Sequence, residues 1–199
     1  MKKLFIIGGM GAGKSTARKA LTEQGLEFID LDRVGHDIHG WDTVREELVE
    51  TFGEDILDAD GAIDRSALAQ KAFVSPAETR KLNRITMPRI EEAYLDRLAE
   101  LEAQGCEAVV VEYSVFKNRS TSLAYSADVV IAVLAPLDMR IERAVSAGWD
   151  EDDVRRRISQ QITDAKRIEA ADVVFNNDST PEELRNEVLA WWNDYKKTL

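Results

Sequence analysis

The stretch GGMGAGKST, residues 8–16, carries a complete G-x-x-x-x-G-K-[ST] pattern, with Gly8, Gly13, Lys14 and Ser15 in the fixed positions. Glycines let a backbone curl until successive N–H groups point at one anion, and a helix starting at the end of the turn adds its partial positive charge. In such a setting the Lys14 ammonium reaches the β- and γ-phosphates of a nucleoside triphosphate, and the Ser15 hydroxyl sits on Mg²⁺. Two acids follow, Asp30 and Asp32 in FIDLD. Phosphoryl transfer to a hydroxyl needs a group that orients the acceptor and takes its proton, which a carboxylate at hydrogen-bond reach does. If a strand ran on through both acids they would share one side, one on the acceptor and the other on Mg²⁺ or its waters. Asp32, before RVGHDI, also suits a helix cap.

Glu112, at the end of EAVVVEY, has two readings: it holds the metal through water, or it pairs with an arginine. The only histidines, His36 and His39, stand three apart with no cysteine nearby, and read as helix-surface residues rather than a metal pair. Arg140, Arg143, Arg155, Arg156, Arg157, Lys166 and Arg167 crowd the segment Met139–Ala170. They suit a basic helical lid over phosphates, or a solvated face salt-bridged to its own acids; charge alone favours the second.

The elements that must position these groups are visible as patterns. KLFII, LEFID, EAVVVEY, ADVVIAVL and ADVVFNN are short runs rich in Val and Ile, separated by helix-length segments. This predicts an α/β fold with a five-stranded parallel sheet covered by helices on both faces, the loop at Gly8 turning a strand into a helix. In such sheets ligands bind outside the carboxyl ends of the strands, where the candidate acids fall. Residues 31–106 contain no convincing strand; Thr43–Phe52, Arg65–Phe73, Pro76–Arg84 and Pro88–Gln104 have helical spacing. They predict a helical insertion on the acceptor side, too large to be a loop. Residues 139–170 predict two helical segments joined by SAGWDED as the lid, leaving a core of about 1–30, 107–138 and 171–199. Pro181–Leu199 predicts a closing helix with Leu184, Val188 and Trp191 or Trp192 on one face.

Composition narrows the function classes. A chain of 199 residues with 44% hydrophobic content suits one globular domain with a full core. A net charge of −11 gives no general attraction for nucleic acid or an anionic membrane, so neither is an expected partner and a polyphosphate must be drawn by a local basic site. Cys106 is the only cysteine, which excludes an intrachain disulfide and a metal site built on several cysteines, and suits a reducing, cytoplasmic setting. The apolar part of MKKLFIIGG is too short for a signal peptide and runs into the glycine loop, and no run is long enough to span a bilayer.

Taken in order, the motifs resemble the dephospho-coenzyme A kinase family of phosphate-loop kinases. GGMGAGKST followed by FIDLD is similar to the family's GGIGSGKS and DAD elements. FGEDILDADGAIDRSALAQKAF resembles its FG-x-x-I-x-x-x-DG-x-x-DR-x-x-L-x-x-x-x-F segment, which carries most of the specificity. SPAETRKLNRITMPRI, RISQQ and ADVVFNNDST resemble later elements, in family order. The resemblance implies a kinase core with a helical acceptor domain and a lid. It implies transfer of the γ-phosphate of ATP to the ribose 3′-hydroxyl of dephospho-coenzyme A, the last step of coenzyme A biosynthesis. Gly11, Ala12, Gly13, Lys14, Ser15 and Thr16 correspond to the ATP-phosphate site, Asp32 to the catalytic base, Asp30 to a group on the acceptor ribose or the metal, and Arg143 to a lid arginine facing the phosphates.

The departures from the family pattern lie on the acceptor side and in the lid. The family's HP reads Met87-Pro88, and its D-x-P-L-L-F-E element reads EYSVFKN, Glu112–Asn118. The place of a second lid arginine reads SAGW, Ser146–Trp149, with Arg140 or Arg155 as replacements. Two other expectations follow: a kinase for another small hydroxyl or nucleotide acceptor, and a nucleotide-binding regulator with weak transfer.

Overall fold

The computed structural model describes residues 1–199. The chain forms two compact units, Met1–Asp30 with Glu100–Leu199, and Leu31–Ala99.

The first unit is built on five parallel strands: β1 (Lys2–Gly8), β2 (Glu27–Asp30), β3 (Ala108–Glu112), β4 (Val129–Leu134) and β5 (Val173–Asn176). Their spatial order is β2-β3-β1-β4-β5. The central strands are buried without alternation, Leu4–Gly8 on β1 and all of β4, because helices cover both faces of a parallel sheet. One face packs on α1 (Lys14–Thr22) and α10 (Pro181–Tyr195), joining Leu4, Ile6, Val110 and Ile131 to Ala17, Leu21, Leu184, Val188 and Trp192. Trp191 is only partly buried against that cluster. α10 starts with a full capping box, Thr180 and Glu183 each accepting the other's backbone N–H, followed by Pro181.

After the four-residue α6 (Ser122–Tyr125) and β4, the basic segment forms three helices rather than the expected two: α7 (Leu137–Ser146), α8 (Glu151–Ser159) and α9 (Asp164–Ala170). The expected join at SAGWDED falls between α7 and α8. The additional break lies at Gln160–Thr163, where Thr163 caps α9 by accepting the Lys166 N–H. α9 packs on β1 and β4. Two carboxylates tie the entry to the sheet: Asp128 accepts the Lys3 N–H at 2.9 Å and Asp172 accepts the Val130 N–H at 2.8 Å.

Because every strand is parallel, Gly8, Asp30, Glu112, Leu134 and Asn176 all end at one edge of the sheet. The register sets Asp30 beside Glu112, and Glu112 beside Ile6.

The second unit contains α2 (Leu31–Asp37), α3 (Asp42–Phe52), α4 (Arg65–Ala72) and most of α5 (Pro76–Ala103). Its core joins Val44, Leu48, Phe52, Ile56, Leu68 and Ala72. The DADGAIDR stretch explains its own spelling. Asp58 accepts the Asp60 and Ala62 N–H groups, Gly61 turns the chain at φ +77°, and Asp64 caps α4 by accepting the Ser66 and Ala67 N–H groups.

One expectation is corrected here, and the condition set for Asp30 and Asp32 is decided. Pro76–Arg84 and Pro88–Gln104 form one helix that runs through Pro88. Proline removes one i→i−4 bond, to the Arg84 carbonyl, at a cost of roughly 3 kcal/mol. Buried Leu82 and Thr86 before it and Tyr94 and Leu101 after it hold both halves in one rod. Nor does a strand run through Asp30 and Asp32: β2 stops at Asp30 and α2 starts at Leu31, so strand alternation does not relate the two acids. Asp32 lies in the first turn of α2.

Candidate active site

The glycine loop leaves β1 and enters α1 through two left-handed residues, Gly11 at φ +73° and Gly13 at φ +104°. Inside the loop the Ala12 N–H donates to the Gly9 carbonyl at 3.1 Å, and the Thr16 N–H to the Gly13 carbonyl at 3.0 Å. Gly13 occupies the N-cap of α1 and has no side chain to cap it, so the helix start presents backbone N–H groups to an incoming anion. Ser15 is exposed at this end, while Lys14 and Thr16 are half-buried.

Three residues hold the loop from behind: Arg140, expected from sequence as a replacement lid arginine, and Gln161 and Asn177, to which no individual role was assigned. Arg140 of α7 is 5% exposed; its Nε donates to the Met10 carbonyl at 2.9 Å and its Nη2 to Gln161 Oε1 at 3.2 Å. The same Gln161 oxygen accepts the Met10 N–H at 3.0 Å. Asn177, just past β5, donates from Nδ2 to the Ala12 carbonyl at 2.9 Å. A Cβ on Gly9 would overlap the Arg140 guanidinium, one on Gly11 the Arg140 backbone, and one on Gly13 the Asn177 amide. Gly9 and Gly11 fall at positions the general pattern leaves open, so their glycines are answered by a particular neighbour. Gln161 and Asn177 lie within RISQQ and ADVVFNNDST, and that is the signal by which they were findable. Burial lowers the proton affinity of Arg140, the Asp164 carboxylate 3.7 Å away opposes this, and the Arg167 charge adds to the lowering.

Arg143 is half-buried on α7 and donates to the Asn177 carbonyl at 3.1 Å and to Asn177 Oδ1 at 3.4 Å. It therefore stands beside the β5–α10 turn. Of the two proposed replacements for a second lid arginine, Arg155 is exposed and paired with Glu151 on its own helix at 2.7 Å, and Arg140 is committed beneath the loop. Arg156 pairs with Asp153 and Arg167 with Asp164, so much of the basic charge here is neutralised locally, as the solvated-face reading expects. Arg157 lies over the Trp149 ring at 4.8 Å.

At the carboxyl edge of the sheet Asp30 and Glu112 stand on adjacent strands. Glu112 is ion-paired with Arg18 Nε of α1 at 3.5 Å, which favours the arginine-pair reading of that acid. In the second unit His36 Nδ1 lies 3.2 Å from Arg65 Nη1. His39 is held below the usual imidazole range by burial first, then by the charges of His36 and Arg65, and its Nδ1 is buried without a partner. Met87 is half-buried on α5. No group of three or more His, Cys, Asp or Glu is arranged to hold a metal ion.

The glycine loop, Asp30, Glu112 and, on α7 beside the β5–α10 turn, Arg143 thus belong to one unit built on an all-parallel sheet. Comparison with known proteins identifies its kind. The sequence profile described as dephospho-CoA kinase matches residues 4–183. The chain belongs to the dephospho-CoA kinase family. A dephospho-CoA kinase of Corynebacterium efficiens is 43% identical over 93% of this chain and 92% of its own length. That of Thermobifida fusca is 33% identical over 100% of this chain and 98% of its own. Among solved structures, TT1252 from Thermus thermophilus superposes with a TM-score of 0.82 at 25% identity, each chain covered to 97%. The dephospho-CoA kinase from Campylobacter jejuni superposes at 0.66 with 21% identity, over 97% of this chain and 96% of its own, a likeness of fold. The fold of this family member is thus the phosphate-loop kinase fold that the resemblance implied, built on the five-stranded parallel sheet expected from the strand pattern.

Proposed function

We propose that this chain transfers the γ-phosphate of ATP to the ribose 3′-hydroxyl of dephospho-coenzyme A, giving coenzyme A and ADP. The observation that carries the reading is the match of one family profile to residues 4–183 of a chain whose phosphate loop is complete and braced.

In this reading Gly11–Thr16 surround the ATP phosphates with backbone N–H groups, and Lys14 neutralises charge on the β- and γ-phosphates. Arg143, at the β5–α10 turn, adds positive charge as the phosphoryl group moves. Asp32 orients the 3′-hydroxyl and accepts its proton while that oxygen attacks the γ-phosphorus in line with the departing ADP oxygen. Asp30 assists at the acceptor ribose or the metal. The donor set fits Mg²⁺: Ser15 is exposed at the loop, and this ion takes few protein ligands, keeping waters and nucleotide phosphates as the rest. Ser15 would hold it there, Glu112 being engaged by Arg18, and the ion would supply positive charge against the β- and γ-oxygens. The lid expected over residues 139–170 is confined in this reading to α8, since α7 holds the loop through Arg140 and α9 packs on β1 and β4; its closure excludes water as a competing acceptor.

No helix is long and apolar enough to cross a membrane. We place the enzyme in the cytoplasm, which suits the single free thiol of Cys106.

Acceptor choice tests the reading. ADP release is followed with dephospho-coenzyme A, shikimate and a nucleoside monophosphate in parallel. Turnover with the first alone supports it; preference for either of the others refutes the acceptor.

A further inference from the structure

We infer that Arg140 and Gln161 are positioning residues that set the shape of the phosphate loop before ATP arrives, with the Gln161 amide oxygen as the fastening point. The inference rests on the reading of the loop as the ATP site.

A glycine-rich loop is free to take many shapes, and ordering it costs conformational entropy. Few of that ordering cost's offsets come from inside the loop, where Ala12 N–H donates to the Gly9 carbonyl and, at the start of α1, Thr16 N–H donates to the Gly13 carbonyl. Instead both polar groups of the Met10 backbone are engaged from outside: its N–H by Gln161 Oε1 at 3.0 Å, its carbonyl by Arg140 Nε at 2.9 Å. Arg140 Nη2 then closes the triangle on the same Gln161 oxygen at 3.2 Å. The peptide planes on either side of Met10 are thereby fixed in direction. Arg140 also fills the space under Gly9 with its guanidinium and under Gly11 with its backbone, so the loop cannot sink toward α7.

Gln161 itself belongs to the short break between α8 and α9. A break at that point redirects the chain so that the Gln161 side chain meets the loop, which gives a reason for the third helix that periodicity did not predict. Gln161 has its oxygen on Met10 and Arg140, and the role assigned to it involves no reacting atom. Loss of its acceptor therefore leaves the loop to be ordered by ATP at the expense of binding free energy, and appears in ATP affinity more than in turnover.

The experiment compares Gln161→Met, of similar length with no such acceptor, with Gln161→Glu, which keeps an acceptor oxygen for both donors. Each is titrated calorimetrically with Mg-ATP, assayed at saturating acceptor and melted thermally. Expected for Gln161→Met is ATP binding weaker, and KM for ATP higher, by about tenfold with kcat within about threefold. Gln161→Glu is expected within about threefold of wild type on both counts. Wild-type ATP affinity in Gln161→Met, an equal loss in Gln161→Glu, or a fall in kcat with KM unchanged each overturns the inference. If Gln161→Met melts below the assay temperature, Arg140→Lys decides in its place: it keeps the charge but cannot reproduce the two-nitrogen fork, and a normal ATP affinity there overturns the inference. A wild-type protein that fails to bind ATP overturns the underlying reading as well.

Discussion

Replacing Asn177 by alanine removes the brace on the α1 side of the phosphate loop. Asn177 is 4% exposed, and its Nδ2–H to the Ala12 carbonyl spans 2.9 Å, an unstrained neutral bond between residues 165 positions apart. Such a bond contributes about 1 kcal/mol net, and stranding a buried acceptor adds about 1–3 kcal/mol, less here because a carbonyl retains a second lone pair. Arg143 loses little, since its 3.1 Å bond is to the Asn177 backbone carbonyl and survives the substitution. The sum is about 2 kcal/mol, which in a chain of this size lowers the melting temperature by about 4–8 °C. The matched control is Asn176→Ala: Asn176 is exposed one residue earlier, so its change is expected within about 0.5 kcal/mol. Asn177→Asp keeps the shape but sets an acceptor against an acceptor, and is expected to lose at least as much as Asn177→Ala. Circular dichroism melts of the three variants read this directly. Equal melting of Asn177→Ala and Asn176→Ala would refute the claim that this side chain holds the loop.

Other perturbations separate charge, space and pH. Lys14→Ala is expected to cut transfer roughly 100-fold or more, and Asp32→Ala by roughly 100- to 10,000-fold while calorimetry still shows ATP bound; near-normal turnover in Asp32→Ala removes it as the base. Gly9→Ala places a methyl against the Arg140 guanidinium, costing about 1–3 kcal/mol, and the cost should shrink when Arg140→Ala is added, as a double-mutant cycle of melts would show. Burial raises the Asp172 carboxyl, but the Arg119 side chain, the Val130 N–H and the Arg119 charge together bring it below its usual value. Its contribution to stability is therefore present above the unfolded value of about 3.9 and is lost as pH falls through the lowered folded value. Asp172→Asn should flatten the pH dependence of melting below about pH 4 relative to wild type.

The parts of the fold legible in the sequence were those written locally. Short apolar runs located all five strands to within one or two residues at each end, and in β3 and β4 the Val and Ile continue without alternation because both faces of these strands are covered. The DADGAIDR stretch was read only through its resemblance to a family segment, and the structure supplies the local reason: Asp58, Gly61 and Asp64 are turn and cap residues spaced for one turn into α4. What misled was punctuation overridden by context. Pro88 reads as a helix boundary, and burial on both sides carries α5 through it. The acids in FIDLD left two readings open, a strand continued through both or a helix starting at Asp32, and the chain changes to helix between them. The braces of the phosphate loop left no periodic trace at all. Met10 and Gln161 are 151 residues apart, and Met10 and Arg140 are 130 apart. A hydrogen bond between such positions shows in the sequence as a motif residue with no local role, such as Gln161 in RISQQ, or as a glycine at an open position of the loop.

The most direct test of the account is to incubate the purified chain with ATP, Mg²⁺ and dephospho-coenzyme A and to analyse the products by mass spectrometry. The account predicts coenzyme A and ADP in equal amounts, with phosphorus NMR showing the new phosphate on the ribose 3′-oxygen. ATP bound but no coenzyme A formed, or ADP released with inorganic phosphate alone, would contradict it.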